Sequence, residues 1–131
     1  MGQQQLLLIV LGVIIVGIAV VVGINLFNAN AETSTQDSIV SQGTNIGAMA
    51  QQYYKKPLSM NGGGQSFLDF TTKVWNNLPA NLITSTDASW AAPAETADEI
   101  TFTATPLDPE YAANWTVVTT VTPLEIISEV Q

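Results

Sequence analysis

The sequence predicts an α+β protein in which a long N-terminal α-helix, hydrophobic in its first half and amphipathic in its second, packs on a small antiparallel β-sheet. Three observations predict this fold: an uncharged apolar run at the start, a seven-residue apolar repeat after it, and short alternating segments near the end. Because the chain has 131 residues, about one small domain remains beside the helix.

The first half of the predicted helix is almost entirely apolar. No charged side chain occurs from Gln3 to Asn28, and Asn25 is the one residue within Leu6–Phe27 that is neither apolar nor glycine. At 1.5 Å per residue, such a helix is roughly 33 Å long, close to the apolar thickness of a bilayer of about 30 Å. The segment is therefore long enough to cross a membrane.

This apolar run differs from a cleavable secretion signal and from an ordinary membrane anchor. A signal peptide has a basic region before an apolar stretch of about 7 to 15 residues, whereas this run is longer and follows no basic region. An ordinary anchor usually ends in flanking Lys or Arg, and none follows Phe27 directly. We therefore expect the run to be retained and to be the working part of the molecule.

The second half of the predicted helix carries one apolar stripe. Ile39, Ile46 and Tyr53 recur every seven residues, which is a spacing of one helix face. Two lysines then precede Pro57; cations are favoured at a helix C-terminus, and proline stops the helix. The sequence thus predicts a single helix from about residue 2 to residue 54.

The composition changes after Pro57 and predicts a β-rich head. The segment PLSMNGGGQS is interpreted as a linker loop. A helix is favoured over a strand at Ser66–Pro79, and a short strand is predicted near Asn81–Thr84. Alternating apolar residues predict three further strands, at Glu99–Thr105, Trp115–Thr122 and Leu124–Val130, with a turn-rich connection between the first two.

The predicted sheet needs a partner layer. So few strands cannot bury both of their faces, and we expect the apolar face of the sheet to pack on the helical stripe. The predicted domains are residues 1–56 for the helix and residues 57–131 for the head. Within the helix, residues 1–27 form the hydrophobic half and residues 28–56 the amphipathic half.

The composition excludes several classes of function. Three Lys, no Arg and eleven acidic residues give a formal net charge of -8, which lacks the basic surface that nucleic-acid binding needs. Cys and His are absent, so thiolate nucleophiles, imidazole bases and the common zinc sites are excluded. The NGGGQS segment lacks the lysine of a phosphate-binding loop. We predict no enzymatic activity, no catalytic or cofactor-binding residues, no metal site and no nucleic-acid partner.

Two local patterns leave alternatives open. The NWT triplet at residues 114–116 matches the N-glycosylation acceptor, which makes Asn114 a candidate for an attached sugar, although such triplets more often carry none. For one group of carboxylates, a Ca²⁺ site is the alternative to a solvated acidic loop, and the loop is favoured. That group consists of Asp87, Glu95, Asp98 and Glu99.

The whole layout resembles type IV pilins and the related pseudopilins of secretion systems. The resemblance is carried by the first two dozen residues and by the helix end AQQYYKKP. It implies that a prepilin peptidase removes a short leader, which makes Met1 the first residue of the mature chain. It also implies insertion in the inner (cytoplasmic) membrane, followed by transfer to a filament by the pilus assembly machinery.

The resemblance also implies which residues form the subunit interface. The hydrophobic helices of the family bundle as a filament core, and Met1 and position 5 set the registry between subunits. The family usually has a Glu at position 5 that pairs with a neighbour's N-terminal amine, and this chain has Gln5. The implied core residues are Leu6, Leu7, Ile9, Val10, Val13, Ile14, Val16, Gly17, Val20, Val21, Ile24 and Phe27.

A physical argument for assembly stands beside the resemblance. An apolar helix of some 20 residues must be covered by lipid or by other copies of itself, since apolar area exposed to water costs about 25 cal/mol per Å². We therefore predict a structural subunit of an extracellular, type IV pilus-like filament on the cell surface, a helical homopolymer. The alternatives are a monomeric bitopic membrane protein with an outward-facing binding head and a pseudopilin of a short secretion fibre. Adhesion, motility, DNA uptake, secretion and conduction all remain open as purposes.

Overall fold

The structure, a computed structural model, describes residues 2–131 and confirms the predicted α+β layout. Helix α1 runs over Gly2–Lys55, so it begins at the predicted residue and ends one residue later than predicted. The chain divides into two compact units, of which the first ends at Ser34 and the second spans Thr35–Gln131. Each unit is described by itself below.

The second unit contains the end of α1 and all of the shorter elements. Its other helices are α2 Phe70–Lys73, α3 Ala80–Ile83 and α4 Pro109–Ala112, with 3-10 turns at Leu58–Met60 and Trp75–Asn77. Its strands are β1 Ala88–Trp90, β2 Ala94–Glu95, β3 Ile100–Pro106, β4 Val117–Val121 and β5 Ile126–Val130.

The five strands form one antiparallel sheet with the order β1-β3-β4-β5, in which β2 also pairs with β3. Alternation of buried and half-buried residues along β3 and β4 gives the sheet one buried face. In the centre of the sheet, Phe102 lies opposite Thr119, and Thr119 lies opposite Ser128. The three strands predicted from alternation are confirmed, and their ends differ from the predicted ends by two residues at most.

The apolar stripe of α1 packs in the same core as the buried face of the sheet. Ile39, Ile46 and Tyr53 are all buried, in one cluster with Phe102 of β3 and Val117 of β4. The predicted packing of the sheet on the stripe is therefore confirmed. Since a sheet of this size buries one face only, the stripe of α1 supplies the second layer of the core.

Two glycines let α1 approach the sheet closely. A Cβ at Gly43 would collide with the Thr119 hydroxyl, and one at Gly47 would lie 2.9 Å from a methyl carbon of Ile126. Real Cβ atoms essentially never approach other atoms this closely. These glycines, which are poor helix formers in water, are therefore kept inside a helix by the packing that they permit.

The triple-glycine segment is a loop that leaves the end of α1, as predicted, and this loop folds back to cap the helix end. Three successive amides donate to carbonyls at the end of α1: Gly63 N to Tyr53 O at 2.8 Å, Gly64 N to Lys56 O at 2.9 Å, and Gln65 N to Tyr54 O at 2.8 Å. Gly64 has a φ of 58°, which glycine adopts without strain. The segment thus satisfies carbonyls that a helix end leaves without partners.

The predicted strand at Asn81–Thr84 is wrong, because this segment forms the helical turn α3 instead. Strands β1 and β2, which no sequence pattern predicted, both pair with β3. Leu82 N donates to Pro79 O at 3.0 Å and Thr84 N to Ala80 O at 2.8 Å, so a helical turn satisfies this backbone locally. Thr84 retains one isolated bridge, to Ser89.

The predicted helix at Ser66–Pro79 is confirmed only in part. The segment holds α2 and a 3-10 turn, separated at Val74. Asp69, directly before α2, has a φ of 66°, so the helix cannot extend backwards through it. Phe70 and Trp75 are the buried residues of the two turns, which indicates that aromatic packing rather than helix propensity fixes their conformation.

We expect Ile46→Asp to lower the free energy of unfolding of the unit at residues 35–131 by at least about 3 kcal/mol, because it places an unpaired charge in the core. Pulse proteolysis of the detergent-extracted chain measures the change. Ala48→Asp, at an exposed position of the same helix, is the matched control. Equal protease resistance of both variants would contradict the packing of the stripe.

We expect Gly63→Ala to destabilise the same unit by about 1–3 kcal/mol. Its added Cβ would collide with the carbonyl oxygen of Ser66, so the loop must move and the amide bond to Tyr53 O must lengthen. Ser59→Ala, an exposed change in the same loop, should leave the unfolding free energy unchanged. A neutral Gly63→Ala would show that the cap is not needed.

Candidate assembly surface

The side chains of residues 6–27 form one continuous exposed surface, here called the apolar surface. The exposed fractions of its large hydrophobic side chains range from 49% at Val22 to 73% at Phe27. By length and composition, the helix that carries this surface is able to cross a membrane, and none of its most hydrophobic window is buried. The chain itself therefore leaves this surface without cover.

The apolar surface surrounds its helix on every side. With 3.6 residues per turn, four consecutive residues go once around the axis, and all of Val13–Val16 are apolar and exposed. No polar face remains that water would solvate. A helix that is hydrophobic all round is found inside a membrane or inside a larger assembly.

At three positions of the apolar surface a glycine stands in place of a large side chain. A Cβ added at Gly12, Gly17 or Gly23 would meet nothing within 4 Å, so these glycines have no packing role within the chain. Small residues allow apolar helices to approach one another closely. The glycines therefore mark positions where another helix is able to approach the backbone.

The structure places all of the predicted core residues on the apolar surface, and each is exposed. They are Leu6, Leu7, Ile9, Val10, Val13, Ile14, Val16, Gly17, Val20, Val21, Ile24 and Phe27. That arrangement is necessary for contact with other helices, and the contact itself stays a prediction.

The predicted registry residues lie at the start of α1. Met1 lies outside the described residues, while Gln5 is exposed in the first turns of the helix. The first turn of α1 carries no acidic side chain. The positive end of the helix dipole thus lacks the carboxylate that would favour it.

The candidate glycosylation residue lies on the surface of the second unit. Asn114 is exposed, and its Nδ2 donates to the carbonyl oxygen of Glu110 at 2.8 Å. The next residue, Trp115, is buried and stacks on Tyr111, with ring centroids 5.7 Å apart. The side chain of Asn114 is accessible, and its glycosylation stays a prediction.

The carboxylates considered for Ca²⁺ are not gathered in one place. Among residues 2–131 there is no group of three or more His, Cys, Asp or Glu arranged to hold a metal ion. Asp87 accepts a hydrogen bond from the hydroxyl of Ser38 at 2.6 Å. Glu95 accepts from the amide and hydroxyl of Thr71, at 2.9 and 3.0 Å. Both carboxylates therefore organise the fold of the head.

The phenol of Tyr53, near the end of α1, has a pKa above its ordinary value. Burial raises the pKa of its phenol, and the charges of Asp69 and Glu95 raise the pKa further. The hydroxyl donates to the carbonyl oxygen of Leu68 at 2.8 Å. A neutral, hydrogen-bonded tyrosine of this kind is a structural residue.

Comparisons of the chain with protein-family models, with curated proteins and with solved structures gave no match. The feature that most constrains the function is therefore the uncovered apolar surface at residues 6–27.

Proposed function

We propose that this chain is the structural subunit of an extracellular filament of the type IV pilus kind, which polymerises through bundled N-terminal helices. The single observation that carries the proposal is the apolar surface, which is exposed on every side of its helix. Several surrounding copies cover such a helix completely, whereas a single dimer contact covers only one side of it.

The free energy of apolar burial favours assembly over exposure of the apolar surface to water. Burial of one large aliphatic or aromatic side chain is worth about 1.5–3 kcal/mol, and the apolar surface carries such side chains at most of its positions. Relative to a helix exposed to water, even partial burial therefore exceeds the cost of association, of order 4–15 kcal/mol. For a helix already covered by lipid, close packing between helices replaces this hydrophobic gain. The hydrophobic effect is non-directional, so it supplies the strength of a bundle but little of its registry.

The symmetry of the assembly is open. Parallel helices that carry their heads at the same end contact one another through different sides, and such heterologous contacts form a fibre when the rotation does not close. The net charge of -8 falls on residues 32–131, because the apolar surface has no charged side chain. It keeps the exterior of a fibre soluble and opposes lateral aggregation.

Before assembly, the subunits are inserted in the membrane, and the filament grows from this membrane-inserted pool. Before assembly, lipid covers the apolar surface, since the helix is long and apolar enough to cross a bilayer. The prepilin peptidase and the assembly machinery implied by the resemblance act on this membrane-inserted form. The alternative function is that of a monomeric bitopic protein with a binding head. Such a protein uses the same helix and stays in the membrane without polymerising.

Shearing of cells that express the chain separates the two functions. We expect the sheared fraction to contain fibres by negative-stain microscopy and this subunit by mass spectrometry. A chain that stays in the detergent-extracted membrane fraction as single copies would contradict the proposal and favour the bitopic protein. Fibres that remain short and periplasmic would favour a pseudopilin.

We expect Val16→Asp to abolish the fibres, because it places an unpaired charge in the middle of the apolar bundle. Val16→Leu, which keeps the surface apolar, should assemble normally. The measurement is the fibre yield after shearing, normalised to the subunit level in whole cells. A normal yield from Val16→Asp would overturn the assignment of residues 6–27 to the core.

We expect Gln5→Glu to leave the fibre yield unchanged or to raise it. The added carboxylate neutralises a neighbour's N-terminal ammonium, whereas the native amide only accepts a hydrogen bond. It also favours the positive end of the helix dipole. Loss of polymer in this variant would contradict the predicted registry role of Met1 and Gln5.

A further inference from the structure

A groove with positive charge lies on the head, beside the end of α1. It has a volume of about 280 Å³ and is here called the basic groove. Apolar side chains and two lysines share its lining, so it offers both hydrophobic and charged contacts. Its lining includes Met49, Gln52, Lys56, Met60, Lys73 and Val74.

The basic groove concentrates the positive charge of the chain. The sequence has three lysines and eleven acidic residues. Two of the three lysines, Lys56 and Lys73, line this groove. Within residues 2–131, neither ammonium group forms an ion pair with a carboxylate. A pair of unpaired cations on a strongly acidic protein is complementary to the surface of another copy of the same protein.

The β4–β5 turn has the matching chemistry. Leu124 at its tip is 95% exposed, the most exposed large hydrophobic side chain in the described part of the chain. Glu125 follows it directly. The turn is held in shape because Thr122 N donates to Glu125 O at 2.9 Å and Glu125 N donates to the Thr122 hydroxyl at 3.2 Å. An apolar tip with an adjacent carboxylate thus projects from the head.

The groove and the turn lie on different sides of α1. The groove uses helix positions Met49, Gln52 and Lys56. The β4–β5 hairpin instead packs on Gly47 and Gln51. The side chain of Ile126 lies against Gly47, and Gln51 Nε2 donates to Thr122 O at 3.1 Å. At 3.6 residues per turn, the two sets are roughly 150° apart around the helix axis.

This separation decides what a contact between them produces. When the turn of one copy occupies the groove of another, the first copy's groove and the second copy's turn stay free to bind further copies. Such a contact is heterologous and continues along a polymer. It also fixes the rotation and axial position of each subunit, which a uniformly apolar helix bundle does not fix by itself.

We propose that the basic groove binds the β4–β5 turn of a second copy of this chain. Leu124 of the incoming turn packs between the two methionines, and the carboxylate of Glu125 pairs with the ammonium groups of Lys56 and Lys73. The inference rests on the proposed filament, because the contact joins neighbouring subunits of that polymer. Its role is to set registry between heads.

Charge reversal tests the pairing in the full-length chain. We expect the double variant Lys56→Glu/Lys73→Glu to lower the yield of sheared fibres at least about tenfold, since like charges then face each other. Lys55→Glu is the matched control, because Lys55 is exposed but does not line the groove. Glu125→Lys alone should also lower the yield, and combined with Lys73→Glu it should restore fibres.

The outcomes separate this inference from the proposed function. Wild-type fibres together with equal yields from Lys56→Glu/Lys73→Glu and Lys55→Glu would overturn the groove contact and leave the filament standing. Absence of fibres from the wild-type chain would overturn the filament and the contact together. Protease resistance of the membrane-inserted subunit shows whether the head of a variant is folded. If the charge-reversed variant does not fold, the neutral double variant Lys56→Gln/Lys73→Gln is tested in its place.

Cysteine cross-linking tests the contact directly, since the chain has no cysteine of its own. Sheared fibres of the double variant Met60→Cys/Leu124→Cys should give a ladder of covalent multimers after oxidation or treatment with a short bismaleimide. The control pair Met60→Cys/Leu107→Cys uses another exposed leucine of the head and should give no ladder. Equal products from both pairs would overturn the proposed occupant of the groove.

Discussion

Burial of one face of α1 against one face of the sheet is the interaction on which the head depends. Five short strands in a single layer cannot form a core alone, and the stripe at Ile39, Ile46 and Tyr53 supplies the second layer. Gly43 and Gly47 set the distance between the layers, because no larger side chain fits at either position. The end of the helix is then closed by the glycine loop, whose amides bind its last carbonyls.

The two parts of α1 differ in how their apolar side chains are distributed around the helix. In the second unit, one side of α1 is buried and the other sides carry polar residues, as for a helix in a small globular domain. At residues 6–27 every side is apolar and exposed, so this part gains stability only from an environment outside the chain. Because of that difference, residues 6–27 require either a membrane or an assembly to cover them. In the proposed filament, specific contacts between neighbouring subunits are then made by the heads.

Strength and registry therefore come from different parts of the proposed filament. Apolar burial is large but non-directional, whereas charged contacts between heads are weaker and depend on geometry. In the proposed filament, like charge between the acidic heads opposes their contact, and Lys56 and Lys73 supply positive charge at the basic groove. A polymer built in this way holds its subunits firmly through the helices and positions them through the heads.

The sequence by itself determined the features that depend on local patterns: the uncharged run, the seven-residue stripe, and the alternation at β3, β4 and β5. It did not determine β1 or β2, because these short strands take their conformation from pairing with β3. It did not determine α3 either, because this single turn of four residues is too short to give a periodic pattern. No sequence pattern predicted the basic groove, and alternation placed Leu124 in a strand. Only tertiary structure brings Lys56 beside Lys73 and puts Leu124 at a turn, because long-range packing, and not residue spacing, decides which distant side chains meet.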